Sequence, residues 1–364
     1  MEYRSALITT REGFTFSNSK VDVKLNRGYD ELGNPYNTIR LKEVDGFINF
    51  HYKDRLLRSD DSLSENDILT KLLSTGTKDE QALINFFHEY GFLFKSNSDK
   101  YALYSCDELF GVIRRITQLV ELIMEIHNDE PSFKSLANNL IQLMLSYPAS
   151  VHDLSSEGNL KLVYQSPEHQ IRKNLISIGA LSTSPDFLLE MQEKPDPDYQ
   201  YFVDEDYSFQ GNYQYYDSID EGMQAQHAFL DYIFTKTSIS SVKANAGVKL
   251  TKPLNIRPNK EDENVIINAA KLIIKEEIDY HTKLISPVYD TTTMLGTWKI
   301  PNLITAIYFS IFFLNPNFEV IKKCANPTCD GYFDILNTNK RKKYCSIRCA
   351  NIMSQRKYRE THQK

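Results

Sequence analysis

Four of the five cysteines lie near the end of the chain, as Cys324-x4-Cys329 and Cys345-x3-Cys349, with fifteen residues between the two pairs. Tetrahedral zinc takes four thiolates at about 2.3 Å, and two close pairs joined by a loop can converge on one ion without a large core. The spacing therefore predicts one structural Zn2+ held by Cys324, Cys329, Cys345 and Cys349. Four thiolates close the coordination sphere, so the expected role of the metal is structural. Five cysteines in 364 residues are too few for a disulfide scaffold. The remaining one, Cys106, heads an apolar helical pattern and reads as a buried, inert thiol.

The residues around the ligands add a second chemistry. Pro327 suits a tight metal-binding turn in CANPTC. Gly331, Tyr332, Phe333 and Asp334, followed by Asn337, Thr338 and Asn339, read as a hairpin whose tip carries Lys340, Arg341, Lys342 and Lys343. Ser346 is a candidate N-cap for a helix beginning at the second cysteine pair. A turn, a hairpin and a helix start on one zinc make a treble-clef type of arrangement. That helix presents Arg348, Gln355, Arg356 and Arg359 along one face, suited to phosphate or base edges. For Asn351, adenine contact and bonding to the zinc loop are equal alternatives. From Lys322 to Lys364 there are eleven Lys and Arg against three Asp and Glu, a net charge of +8, whereas the whole chain carries -6. An acidic body with a basic tail predicts a polyanionic partner for the tail, nucleic acid and most simply duplex DNA.

The elements that must position this site divide into three expected parts. Residues 1–60 alternate β-prone runs (6–10, 14–17, 21–25, 47–52) with turn chemistry at 32–35 and predict a small antiparallel sheet. Residues 61–320 predict a mainly helical body, and residues 321–364 the finger with its basic helix. Within the body, Thr77 and Glu80 have capping-box spacing before an apolar run stopped by Gly91. Ser105 and Glu108 repeat that spacing before Leu109, Val112, Ile113, Ile116, Leu119, Val120, Ile123 and Met124, one buried stripe of a long helix. Further helices are expected at 133–146, 221–234, 262–278 and 302–314, the last carrying the finger. Residues 186–221 hold eleven acidic side chains, six tyrosines and a single lysine, and read as an acidic insertion. The fold class expected is α+β.

The N-terminus lacks the layout of a secretory signal, and the longest apolar stretch, 303–314, is too short to span a bilayer about 30 Å thick. The expectation is a cytoplasmic protein with no membrane partner. There is no phosphate loop or Gly-rich dinucleotide fingerprint.

Residues 302–360 resemble the C-terminal part of the CGNR zinc-finger proteins, ABATE-type stress-linked transcription regulators. The corresponding residues are Tyr332 and Phe333, then Tyr344, Cys345 and Ser346, then Cys349, Ala350, Asn351 and Ile352. Ala350 and Ile352 replace the Gly and Arg of the eponymous tetrapeptide. Upstream, His88, Glu89, Tyr90, Gly91, Phe92 and Leu93 look like the punctuation of the domain that accompanies such fingers. The resemblance implies DNA binding by the finger and a sensing or assembly role for the body. Two other functions remain open: a zinc-stapled module for a protein partner or a second copy of the chain, and a defence-associated nuclease using Arg356 and His362.

Overall fold

The computed structural model describes all residues except 1–14, 30–34, 54–55, 60–66, 96–100, 156–159, 178–186, 191–220, 237–240, 245–247, 251–253, 292–293, 315–318, 337–340 and 363–364. The strand expected at 6–10, the turn around Gly33, most of the acidic insertion and Lys340 fall outside the described residues.

The first part of the chain forms β1 (Thr15–Tyr29), β2 (Pro35–Lys53), β3 (Leu56–Ser59), α1 (Ile68–Thr75), α2 (Glu80–Tyr90), β4 (Ala102–Ser105), α3 (Cys106–Ile126) and α4 (Phe133–Leu145). Then come β5 (Ser150–Asp153), β6 (Lys161–Gln165), α5 (Gln170–Ser177), β7 (Phe187–Glu190), α6 (Glu221–Lys236), β8 (Ser241–Ala244), β9 (Val248–Leu250) and α7 (Lys260–Thr282). The end of the chain adds β10 (Ser286–Asp290), β11 (Leu295–Lys299), α8 (Leu303–Phe312), β12 (Glu319–Lys323), β13 (Tyr332–Leu336) and α9 (Ile347–His362). The fold is α+β. Two compact units are present: Met1–Phe110 with His152–Val163 and His281–Lys364, and Gly111–Val151 with Tyr164–Tyr280.

In the first unit β2 is central, pairing antiparallel with β1, β3 and β4. The separate β-prone runs of the sequence merge into two long strands. Val21 and Val23 on β1 and Ile39, Leu41, Ile48 and Phe50 on β2 are buried, following the two-residue period of strands. Asp79, not Thr77, caps α2, accepting from the Ala82 amide at 3.0 Å, while Glu80 accepts from Asn37 Nδ2. Gly91 ends α2 at φ 78°, and a Cβ there would lie 2.5 Å from Asn18 Nδ2 and 2.6 Å from the Ser19 carbonyl. Asn18 Nδ2 uses that space to donate to the carbonyls of Tyr90 and Phe92, so glycine is required by both conformation and room. The chain passes directly from β4 into α3, and Glu108 accepts from the amide and Nδ1 of His152. Cys106 is buried, and burial pushes its thiol up to about 12. Helix α8 is buried from Leu303 to Ile311, capped by Asn302 and anchored by the Ile304 amide on the Leu93 carbonyl.

The second unit buries the expected stripe of α3, Val112, Ile113, Ile116, Leu119, Val120 and Ile123, together with Leu122. It also buries an ionic cluster. Arg115 is bonded to the Pro167 carbonyl and to Glu277. His169 meets Glu276 through Nδ1 at 2.6 Å and Glu277 through Nε2 at 2.8 Å, and Gln226 donates to Glu276. Burial alone would lower the His169 pKa, but the two carboxylates outweigh it and raise the value, against the opposing Arg115. Nothing in the one-dimensional pattern singles these residues out, because charged positions on helices ordinarily face water.

Candidate metal centre and basic helix

The finger is built from a hairpin and a helix. β12 pairs antiparallel with β13, from Glu319 opposite Leu336 to Lys323 opposite Tyr332. Among the described residues, the partner of β13 is therefore the strand before the first cysteine. CANPTCDG becomes the hairpin turn, closed by the Cys324 amide on the Gly331 carbonyl at 2.9 Å. This pairing is favoured because short loops between adjacent antiparallel strands are the commonest connection, and the turn chemistry sits inside the cysteine pair. Phe333 and Ile335 are buried on one face of the hairpin, and Ile321 and Tyr332 are buried on the other. Ser74 on α1 donates its hydroxyl proton to the Thr70 carbonyl at 2.7 Å and accepts from the Tyr332 amide at 2.8 Å, tying the finger strand to a helix 258 residues earlier.

Asn326 organises the turn. It is 3 % exposed, and its Oδ1 accepts from the amide and hydroxyl of Thr328 at 3.2 and 3.0 Å. Its backbone carbonyl accepts from the Cys329 amide, and its Nδ2 donates to Cys349 Sγ at 3.6 Å. Gly331 lets the chain pass the sulfurs: a Cβ there would lie 3.3 Å from Cys329 Sγ and 3.7 Å from Cys345 Sγ. Ser346 caps α9 as expected, its hydroxyl accepting from the Cys349 amide and its carbonyl from that of Ala350. Sequence reasoning missed Asn326 and Gly331 as supporting residues, although an Asn inside the pair and a Gly shortly after it are signals of an Asx turn and a close approach.

The four sulfurs lie within 4.8 Å of one another. Cys329 and Cys345 are 3.6 Å apart, and Cys345 and Cys349 are 3.7 Å apart. A tetrahedron with 2.3 Å bonds has edges of about 3.8 Å, whereas a disulfide would need about 2.05 Å. Geometry and donor type therefore fit zinc. The Asn326 amide and then the Ser346 hydroxyl hold the Cys349 thiol down to about 6, while burial first, and then its cysteine neighbours, push Cys345 up to about 12. A bound dication overrides these differences, because a coordinating thiol is deprotonated outright.

Around this centre lie the candidate contact residues. Arg341, Lys342 and Lys343 are exposed beside the finger, Lys342 Nζ sits 5.1 Å from the Phe333 ring centre, and the Lys343 carbonyl accepts from the Ala325 amide. On α9, Arg348, Asn351, Gln355, Arg356 and Arg359 are all exposed. With 3.6 residues per turn, Arg348, Asn351, Gln355 and Arg359 share the face opposite Cys349 and Met353. Asn351 is thus on the outside, and the amide that meets a ligand cysteine is that of Asn326. Arg356 lies 3.3 Å from Glu360, whereas His362 stacks on Tyr358 at 4.0 Å and meets its carbonyl.

A hairpin knuckle and a helix start converging on four cysteines define a four-thiolate zinc finger. Residues 321–362 match the CGNR zinc finger family. No curated protein and no solved structure matches the chain significantly. Among the described residues, no helix is long and apolar enough to cross a membrane.

Proposed function

We propose that this chain is a cytoplasmic nucleic-acid-binding protein, a transcription regulator that holds duplex DNA through its zinc finger and uses the remainder of the chain for sensing or assembly. The observation that carries the reading is the exposed outer face of α9, with Arg348, Asn351, Gln355 and Arg359 in line and Arg356 at its flank, next to Arg341, Lys342 and Lys343. Zinc in this reading is structural. Cys324, Cys329, Cys345 and Cys349 fix the helix start against the hairpin, so that guanidinium groups reach phosphates from a rigid base. Arginine offers bidentate contact to phosphate and guanine edges, and Asn351 and Gln355 have the donor and acceptor pattern for adenine.

The test is a salt titration of zinc-loaded protein against a labelled duplex. With about four to six phosphates engaged, log affinity should fall against log salt with a slope of roughly -4 to -5. Alanine at Lys340, Arg341, Lys342 and Lys343 together should flatten the slope by close to one for each phosphate no longer neutralised. A flat response in the wild-type protein would sink nucleic-acid binding by this face. The second reading, a protein-interaction module, draws on the exposed Ile347, Ile352 and Tyr358 of the same helix. It expects weak, salt-abolished DNA binding together with a partner that survives moderate salt.

A further inference from the structure

Beside the first turn of α9 lies an open cavity of about 470 Å³ lined by Arg341, Lys342, Lys343, Tyr344, Ser346 and Ile347 among others. We propose that it seats one unpaired nucleotide of a nucleic-acid strand, the phosphate among the three cations and the base against Tyr344 and Ile347. This inference rests on the reading of the finger as a nucleic-acid binder and specifies what part of the nucleic acid the site takes.

Three observations carry it. The first is shape. Phosphates on an intact duplex are met by a protruding basic surface, as the outer face of α9 provides, and paired bases remain inside the stack. An open concave site in the lower part of the 300–1,000 Å³ range of small-ligand pockets can instead receive one side of a nucleotide that has left the stack or was never in one. The second is that the cavity has two chemistries on its walls. Arg341, Lys342 and Lys343 supply positive charge. Tyr344 supplies an aromatic ring, and Ile347, 81 % exposed, is the most exposed large apolar side chain among the described residues. Base stacking on aromatic side chains is how single strands are held without regard to sequence. The third is that the basic wall is anchored: the Lys343 carbonyl is bonded to the knuckle through Ala325, and Lys342 sits over the buried Phe333 ring. A wall fixed in this way loses less freedom on binding. The nucleotide in the cavity is then continuous with the phosphates met by Arg348 and Arg359 along α9.

The experiment is fluorescence anisotropy with the full zinc-loaded chain, comparing a blunt duplex with the same duplex carrying a single-stranded extension, at equal salt. The overhang should bind on the order of tenfold more tightly, within the range of one stacked base. Tyr344→Ala should remove that preference and Tyr344→Phe should keep it, each read alongside zinc content. Ile347→Glu, which leaves every metal ligand in place, should also remove it, and keeps the test decisive if Tyr344→Ala loses zinc. Equal affinity for blunt and overhanging duplex would overturn the inference while leaving nucleic-acid binding intact. An overhang preference untouched by both Tyr344→Ala and Ile347→Glu would overturn the placement in this cavity. Displacement of the overhang by equimolar adenosine monophosphate would overturn the strand assignment in favour of a free nucleotide. Absence of binding to any of these nucleic acids would remove both this inference and the function it rests on.

Discussion

Replacing Asn326 with alanine should weaken zinc binding by about 10- to 100-fold, the usual cost of losing a group that hydrogen-bonds a metal ligand. The side chain is 3 % exposed and makes three hydrogen bonds in the knuckle: to the Thr328 amide, to the Thr328 hydroxyl and to Cys349 Sγ. The last is directed at a group that becomes a thiolate when metal binds, and a hydrogen bond to a charged partner contributes about 1.5–3 kcal/mol. A 10- to 100-fold loss corresponds to about 1.4–2.7 kcal/mol, so the two routes to the magnitude agree. The bonds to Thr328 add turn preorganisation, which places the effect toward the upper half of that range. Asn326→Asp separates the contributions. It retains an oxygen for Thr328 but replaces the donor facing Cys349 with a carboxylate, and repulsion between that carboxylate and the thiolate should make it worse than alanine. The assay is competition with a chromophoric chelator at fixed pH on the full chain. Zinc affinities of both variants within about twofold of wild type would refute the reasoning, because they would show that the amide has no energetic connection to the metal.

Ser74→Ala removes the hydroxyl that accepts from the Tyr332 amide and should cost about 1–3 kcal/mol locally, read as faster hydrogen exchange at that amide and faster zinc release to chelator; unchanged rates would mean that the finger does not depend on α1. For His169, whose pKa the fold raises, the stabilisation is fully present below about 6.5 and is lost as pH rises through the folded value. The stability difference between wild type and His169→Gln, from melts between about pH 5 and 9, should therefore be greatest in acid and shrink toward alkaline pH, and a difference independent of pH would contradict a raised His169 pKa. His227 opposes this trend in both proteins, because burial pushes it down to about 4 and its contribution is lost as pH falls from 6.5 toward that value, so it cancels in the comparison.

The zinc ligands were legible because they are local. Four cysteines within one short segment offer a donor set that spacing alone can recognise, and a short hairpin and a helix start bring them within 4.8 Å of one another. The stripe on α3 was legible for a similar reason, since the period of a helix is written into the order of its apolar residues. The partner of β13 was harder, because turn residues occur on both sides of the strand, and only the hydrogen-bond register shows that Glu319–Lys323 is the strand it joins.

Elsewhere the answer depended on separations that no local pattern encodes. Asn18 occupies the space left by Gly91, Ser74 holds Tyr332 across 258 residues, and Arg115, His169 and Glu277 meet although 54 and 162 residues separate Arg115 from the other two. In the sequence, Arg115 and Glu277 look like ordinary charges on helices, where water would satisfy them. Only tertiary packing removes that water, and once it is removed a charge must meet an opposite charge or a hydrogen-bond partner, because an isolated ion in the interior costs far more than the fold can supply. The composition of the site was thus local information, whereas the partners of its supports were decided by which surfaces the folded chain excludes from solvent.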